Sequence, residues 1–248
     1  MTKSIIFLYG VFAYLVFLVA FLYAIGFVGN FIVPKSIDSG TETSFTESLI
    51  VNLLLLSLFA LQHSIMARPA FKKWWTNFVS PVIERSTYVL LSSSALLLMY
   101  SQWRPMKGII WEVENETATM IINGIYFLGW VIVLISTCII NHFELFGLRQ
   151  VIQNLKIKAA QPENHTFQVI YLYKIVRHPI MLGFLIAFWA APVMTVGHLV
   201  FTLTTSIYIF IAVKFLEEKD LEKFYGEEYK NYQKKVPMLV PFIGKKNS

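Results

Sequence analysis

Charge is what this sequence has least of. Only 15% of its 248 residues are Asp, Glu, Lys or Arg, while 56% are hydrophobic and mean hydropathy is +0.59. A soluble domain carries roughly 25% charged residues, so a soluble fold, a disordered chain and a nucleic-acid-binding module are all excluded. Cysteine is nearly absent too. Cys138 is the single one, which rules out a disulfide-built secreted scaffold and leaves the redox compartment open. No two glycines stand in a G-x-G spacing, so the chain has neither a dinucleotide fingerprint nor a P-loop. The five histidines, at 63, 142, 165, 178 and 198, are at least 13 residues apart, and no C-x-x-C exists. That spacing gives no local metal site. A G-x-S-x-G nucleophile elbow is also missing.

What the chain does have is long uncharged runs. Stretches free of Asp, Glu, Lys and Arg cover Ile5–Val33, Ser48–Ala67, Ser86–Trp103, Thr117–Phe143 and His178–Val213. Each meets the need for about 20 mostly apolar residues in a spanning helix. The first is too long for a signal-peptide core and lacks an A-x-A-like site, so it reads as a retained helix. The last, at 36 residues, would make a helix about 54 Å long against a hydrocarbon core of about 30 Å. Pro192 and Gly197 interrupt it, which favours two short helices in a hairpin over one long kinked helix.

Basic residues are distributed unequally. With the N-terminus inside, 18 of the 21 lysines and arginines fall on inner segments, leaving only Lys35, Arg104 and Lys107 outside. Such a bias sets orientation and requires an even number of crossings. The expectation is an all-α polytopic membrane protein of about six membrane helices, the last two a short hairpin, with both termini cytosolic; five spans is the alternative. The single domain 1–248 divides into four N-terminal spans (1–143), a cytosolic cap (144–177), the hairpin (178–213) and a C-terminal amphipathic helix with its tail (214–248). The net charge of +6 needs no acidic partner beyond this bias.

The hairpin brings Arg177-His178 and Glu217-Glu218, 40 residues apart, back to one membrane face. A cationic pair beside an acidic pair is a ligand-site candidate. The other reading is a snorkelling arginine and glutamates facing water. Beyond it, Leu221, Phe224, Tyr225, Tyr229, Tyr232 and Val236 recur at helical spacing. They form either an interfacial helix or a lid whose tyrosines close over a ligand. Ionisable groups inside the spans are nearly missing, which argues against a transporter and suits an enzyme of the membrane surface.

Taken together, Tyr173-Lys-Ile-Val-Arg177-His178-Pro179 and Glu217-Glu218-Lys-Asp-Leu221-Glu-Lys-Phe-Tyr225-Gly226-Glu-Glu-Tyr229-Lys-Asn-Tyr232, closing on Val236-Pro237 and Pro241, resemble the C-terminal signature of the isoprenylcysteine carboxyl and phospholipid methyltransferase superfamily. Tyr225 stands where that signature has Phe, and Met181 where many members have Tyr. Leu61-Gln62-His63-Ser64-Ile65-Met66-Ala67-Arg68-Pro69, Trp74-Trp75-Thr76, Glu84-Arg85-Ser86-Thr87-Tyr88, Gln102-Trp103-Arg104-Pro105 and Phe146-Gly147-Leu148-Arg149-Gln150 resemble the methanethiol S-methyltransferase family.

The resemblance implies an S-adenosylmethionine-dependent thiol methyltransferase that makes dimethyl sulfide, without a metal, in the cell inner membrane. Alternatives on the same scaffold are a phospholipid or prenyl-cysteine methyltransferase and a non-enzymatic membrane accessory protein. It further implies cofactor contacts from Arg177 and His178 to a carboxylate, from Glu218 to ribose hydroxyls, with Glu217 sharing that task or anchoring Arg177, and from Tyr173, Tyr229 and Tyr232 to adenine and polar ends. Methyl transfer to sulfur needs the thiolate. Candidates for the base are His63, at the inner end of the second span, and His142 with Glu144, at the inner end of the fourth. Arg149 and Gln150 would orient the base or touch the cofactor. The substrate is expected to be a small apolar thiol that partitions into the bilayer; Trp74, Trp75 and Trp103 either help line its pocket or form an interfacial belt.

Overall fold

The computed structural model describes residues 2–156 and 169–241. His165 and the stretch of the expected cap around it lie outside the described residues. In chain order the elements are α1 (Lys3–Gly29), α2 (Phe45–Ala67), α3 (Pro69–Trp75), α4 (Pro81–Gln102), β1 (Ile109–Glu112), α5 (Glu116–Ile140), α6 (His142–Leu145), α7 (Leu148–Leu155), α8 (Pro179–Trp189), β2 (Val193–Thr195), α9 (Val196–Ala212), a π turn (Val213–Glu217), α10 (Glu218–Tyr225) and α11 (Glu227–Lys235). β1 and β2 pair as a two-stranded ribbon. Among the described residues, five helices are long and apolar enough to cross a membrane: α1, α2, α4, α5 and the continuous run Val196–Tyr225. The chain is therefore an all-α, multi-pass membrane protein.

Local chemistry starts these helices where they start. Thr2 and Ser44 are N-caps whose hydroxyls accept from Ile5 N and Glu47 N, and Ser44 with Glu47 has the spacing of a capping box. Ser80 caps α4, with Pro81 at its first position, where a missing N–H does no harm.

The long uncharged stretch from His178 divides as its length requires. α8 has 11 residues, about 16 Å, and ends at Trp189. The chain then turns, with Ala191 N donating to Trp189 O at 3.0 Å and a bend at Pro192, before the three residues of β2. The return path, 17 residues of α9 and five of the π turn, rises about 33 Å. The chain enters and leaves the hairpin at one level, since Arg177 before α8 and Glu218 after the π turn are in contact at 2.6 Å. Thr202 donates to Phe188 O at 3.0 Å and Trp189 Nε1 to Ser206 Oγ at 3.1 Å, tying the limbs together. α8 is the half-length helix that hydropathy counts alone would miss.

The described residues fall into two compact units. The first comprises 2–110, 141–156 and 194–201. Along α1, Leu8, Phe12, Leu15, Val19 and Leu22 are exposed, whereas Gly10, Ala13, Ala20 and Gly26 are buried. Lipid is as apolar as leucine, so large side chains gain nothing by turning inward, and small ones let backbones approach. α1 packs on α4 and α7, and α2 on α4. Phe27, Tyr100, Trp103 and Phe201 form an aromatic core in which Phe27 and Tyr100 centroids are 4.8 Å apart. Asn52, fully buried, donates to Arg104 O at 2.8 Å and accepts from Arg104 N at 2.9 Å. Its amide thereby replaces the backbone partners that Arg104 loses past the end of α4.

The second unit comprises 111–140, 169–193 and 202–241. α5 and α8 meet backbone to backbone at Gly129 and Gly183. A Cβ on Gly129 would stand 2.6 Å from Ala187 N, and one on Gly183 would stand 2.7 Å from Gly129 O. Trp130 flanks this crossing, edge-on to Phe184 at 5.8 Å. The C-terminal strand-like tail returns over the hairpin mouth, where Met238 and Leu239 pack with Met181, Phe184, Ile209 and Val213.

Candidate functional site

The second unit gathers the signature residues around one carboxylate. Glu218 Oε1 accepts from Arg177 Nε at 2.6 Å, from His178 Nε2 at 3.2 Å and from Tyr229 Oη at 3.5 Å, while Oε2 accepts from Gln233 Nε2 at 3.3 Å. Arg177 Nη1 donates to the carbonyls of Gln233 and Val236. Its Nη2 has no protein partner among the described residues. Glu217 stands 3.6 Å from His178 Nδ1, with a side chain 44% exposed.

The backbone explains this convergence. His178 is the residue before α8, and Pro179 occupies the first helical position. The π turn inserts an extra residue per turn between α9 and α10, rotating Glu217 and Glu218 relative to the apolar face of α9; such turns recur at functional sites. Gly226, at φ +60°, then breaks the amphipathic stripe into α10 and α11. The stripe expected as one helix is therefore two. Its tyrosines point inward, with Tyr229 and Tyr232 buried against Val236, Val169 and Leu221. Tyr232 donates to Tyr173 O. Backbone bonds from Arg177 N to Pro237 O, 2.9 Å, and from His178 N to Met238 O, 3.2 Å, lash the tail down.

Burial dominates the protonation of the cluster's outer groups. It pushes the phenols of Tyr173, Tyr229 and Tyr232 upward, keeping them neutral donors, with nearby glutamates adding to the push. For His178, burial works against the imidazolium, but hydrogen bonds and charge from Glu217 and Glu218 outweigh it and raise the pKa to about 9. Both ring nitrogens face carboxylates, so the site holds two cations against two anions at neutral pH. The arginine is not an open fork. Nε and Nη1 are spent on the protein, leaving the Nη2 edge toward a ligand, with half-exposed Glu217 beside His178.

The first unit collects a second set immediately after α5. Asn141, at φ 153° and ψ 90°, caps α6 by accepting from Glu144 N at 3.3 Å and donates to Glu144 Oε2 at 3.0 Å. Arg149 Nη1 donates to the same oxygen at 2.9 Å, and Gln150 Nε2 to Glu144 O at 3.2 Å. Gly147 turns the chain into α7 at φ +84°, where a Cβ would lie 2.7 Å from Ser86 N. Arg85 Nε donates to Leu145 O at 2.8 Å. His142 Nε2 lies 2.9 Å from Tyr14 Oη, among the rings of Phe17, Phe143 and Phe146. Burial lowers its pKa, so the imidazole is neutral. His142, Glu144, Arg149 and Gln150 are thus one constellation. His63 has a different setting on α2, 3.0 Å from Tyr88 Oη and stacked on Phe59. Trp103 is fully buried in the aromatic core and Trp74 half-exposed.

Sequence reasoning did not single out Gln233, Asn141, Tyr14 or Tyr88. Gln233 and Tyr88 sit four and three residues from named positions, a helical spacing that was there to be used. Tyr14, 128 residues from its histidine, had no such signal. No group of three or more His, Cys, Asp or Glu arranged to hold a metal occurs among the described residues.

A family model described as NnrU protein matches residues 51–240. The chain is 58% identical over 240 residues to methanethiol S-methyltransferase 1 of Bradyrhizobium diazoefficiens, covering 97% of this chain and 83% of that one. It is 51% identical over 242 residues to the methanethiol S-methyltransferase of Mycobacterium tuberculosis, covering 98% of each. Against that of Crocosphaera subtropica it is 49% identical over 247 residues, covering 100% of this chain and 96% of the relative. No solved structure matches it significantly.

Proposed function

Because the chain belongs to the NnrU protein family, together with the methanethiol S-methyltransferases that it matches over nearly its whole length, we propose that it methylates methanethiol to dimethyl sulfide with S-adenosylmethionine as donor. The observation that carries the reading is the Arg177–His178–Glu217–Glu218 cluster at the hairpin mouth, with His178 and Glu218 buried and the C-terminal tail lashed over it.

The residues present fit such a donor. Arg177 offers Nη2 to a carboxylate, Glu217 accepts from hydroxyls, and Tyr173, Tyr229 and Tyr232 supply aromatic faces and neutral hydroxyls. When bound, S-adenosylmethionine supplies the electrophilic methyl group on its sulfonium. Glu218 holds Arg177 and His178 in place, and its four donors fix it against any rotation that would misdirect them. His142 or His63 takes the thiol proton: the S–H bond breaks and an imidazole N–H forms, leaving a thiolate whose sulfur would bond the methyl carbon as that carbon's bond to the sulfonium breaks, with S-adenosylhomocysteine as the leaving group. Glu144, Arg149 and Gln150 hold the turn that presents His142. Exclusion of water from an apolar pocket favours neutralisation of thiolate and sulfonium.

The whole chain acts in this reading as one methyltransferase domain of the inner membrane, with both termini cytosolic, following the distribution of basic residues. The test is calorimetric titration of detergent-solubilised protein with S-adenosylmethionine, then headspace detection of dimethyl sulfide on adding methanethiol. Binding with dimethyl sulfide release supports the reading. Binding without it redirects the search to lipid or other thiol acceptors, and an absence of binding to folded protein rejects the reading altogether.

A further inference from the structure

The ion pair between Arg177 and Glu218 is made with one bond where two are available. In the planar guanidinium, Nε–H and one Nη2–H point along the same edge, and a carboxylate commonly takes both in parallel. Here Nε donates to Glu218 Oε1 at 2.6 Å, while Nη2 has no protein partner among the described residues. The oxygen that would meet it, Oε2, accepts instead from Gln233 Nε2 at 3.3 Å.

Gln233 is held at both ends for this task. It lies in the last turn of α11, whose final carbonyls have no partner within the helix. Its own carbonyl accepts from Arg177 Nη1 at 3.1 Å, and the Val236 carbonyl takes the same nitrogen. A guanidinium there also meets the negative end of the helix dipole. Tyr229, Tyr232 and Val236 on either side of Gln233 are buried together, which anchors its backbone. With Nε fixed by Glu218 and Nη1 by the end of α11, the rigid fork sets where Nη2 points. All of these residues belong to the second unit.

Without Gln233 the pair would close. Glu218 is buried, and its Oε1 already accepts from Arg177, His178 and Tyr229. A buried carboxylate oxygen stripped of its donor is costly, so a rotation of the carboxyl that brings Oε2 to Nη2 becomes favourable. That second bond would consume the edge of Arg177 that faces a ligand. Resting on the thiol methyltransferase reading, we infer that Gln233 is a positioning residue: by holding Glu218 Oε2 it keeps the Arg177–Glu218 pair open and reserves Nη2 for the carboxylate of S-adenosylmethionine.

The test is Gln233→Met, which keeps the length of the side chain and removes its N–H groups. Calorimetry should show S-adenosylmethionine bound about tenfold or more weakly, since a charge-assisted bond to the ligand is lost. KM for S-adenosylmethionine should rise by a similar factor while kcat at saturation stays within about twofold, the mark of lost binding rather than lost chemistry. The melting temperature should hold or rise, because the protein gains the two-fold pair; a residue with a purely structural role would lower it. In arginine-labelled protein without ligand, NMR should show the Arg177 Nη2 protons moving downfield as they meet Oε2. Gln233→Leu repeats these readings if the first variant does not fold. A folded variant with unchanged affinity overturns the inference, as does weaker affinity accompanied by a lower melting temperature. A fall in kcat at constant KM, or an unmoved Nη2 signal, overturns it as well. A wild type that binds no S-adenosylmethionine and makes no dimethyl sulfide rejects the underlying reading instead, and the Nη2 signal still decides whether Gln233 keeps the pair open.

Discussion

Neutralising the two carboxylates beside His178 should move that imidazole by several pH units. In the folded chain its pKa is raised from 6.5 to about 9. Burial alone would lower it, so Glu217 and Glu218 must supply the whole rise and more. The net rise of about 2.5 units corresponds to about 3 kcal/mol at about 1.36 kcal/mol per unit. The side chain is 4% exposed, so solvent screening takes little from that figure. Because the folded pKa lies above the unfolded one, this stability is fully present below about pH 6.5 and is lost as pH rises toward about 9. Glu218→Gln should bring the pKa down part of the way. Glu217→Gln with Glu218→Gln leaves burial and the Arg177 charge acting together, which puts it below 6.5. Histidine-labelled protein in detergent, titrated by NMR with His178→Asn for assignment, reads the value directly. Thermal melts between pH 6 and 10 should show the wild type weakening across the window and the double variant flat. A wild-type His178 titrating at or below 6.5, or one indifferent to both substitutions, would refute the electrostatic account of the site.

Other substitutions probe other parts of the frame. Arg177→Lys replaces a planar fork that serves Glu218 and two carbonyls with a point charge that cannot reach all three. It should lower stability by about 2 kcal/mol and weaken S-adenosylmethionine binding at least tenfold, read by melting and calorimetry. Gly129→Ala forces a methyl against Ala187 N and Gly183 O; overpacking of that kind costs about 1–3 kcal/mol, visible as a lower melting temperature. Asn52→Ala strips both partners from the backbone of Arg104 and should cost about 1–3 kcal/mol per buried group left unpaired.

Much of the architecture was legible because hydropathy is a one-dimensional property. A run of residues either fits the hydrocarbon core or does not, whatever it packs against, so α1, α2, α4 and α5 appear within a few residues of the uncharged stretches. The hairpin was legible for the same reason: 36 uncharged residues are too long for one crossing, and Pro192 with Gly197 marks the break. Even the meeting of Arg177-His178 with Glu217-Glu218 follows from that hairpin alone. Hydropathy did not show that α8 is a half-length helix followed by turns and the short strand β2, because its mean is blind to backbone conformation.

Tertiary structure decided who pairs with whom. Arg177 reads in sequence as an open cation for a carboxylate ligand, yet its guanidinium is largely committed to Glu218 and the tail carbonyls, because burying either charge alone would be prohibitive. The π turn that rotates Glu218 inward leaves no mark in composition; it exists because packing on both sides sets the phase. Tyr14 and His142 are 128 residues apart, and no periodicity links them, since two helices choose their contact by shape. Sequence by itself determined what must lie in lipid and which segments return to one membrane face, both consequences of transfer free energy and chain length. The directions of the polar side chains were decided only when small residues such as Gly129 and Gly183 let the helices close on one another.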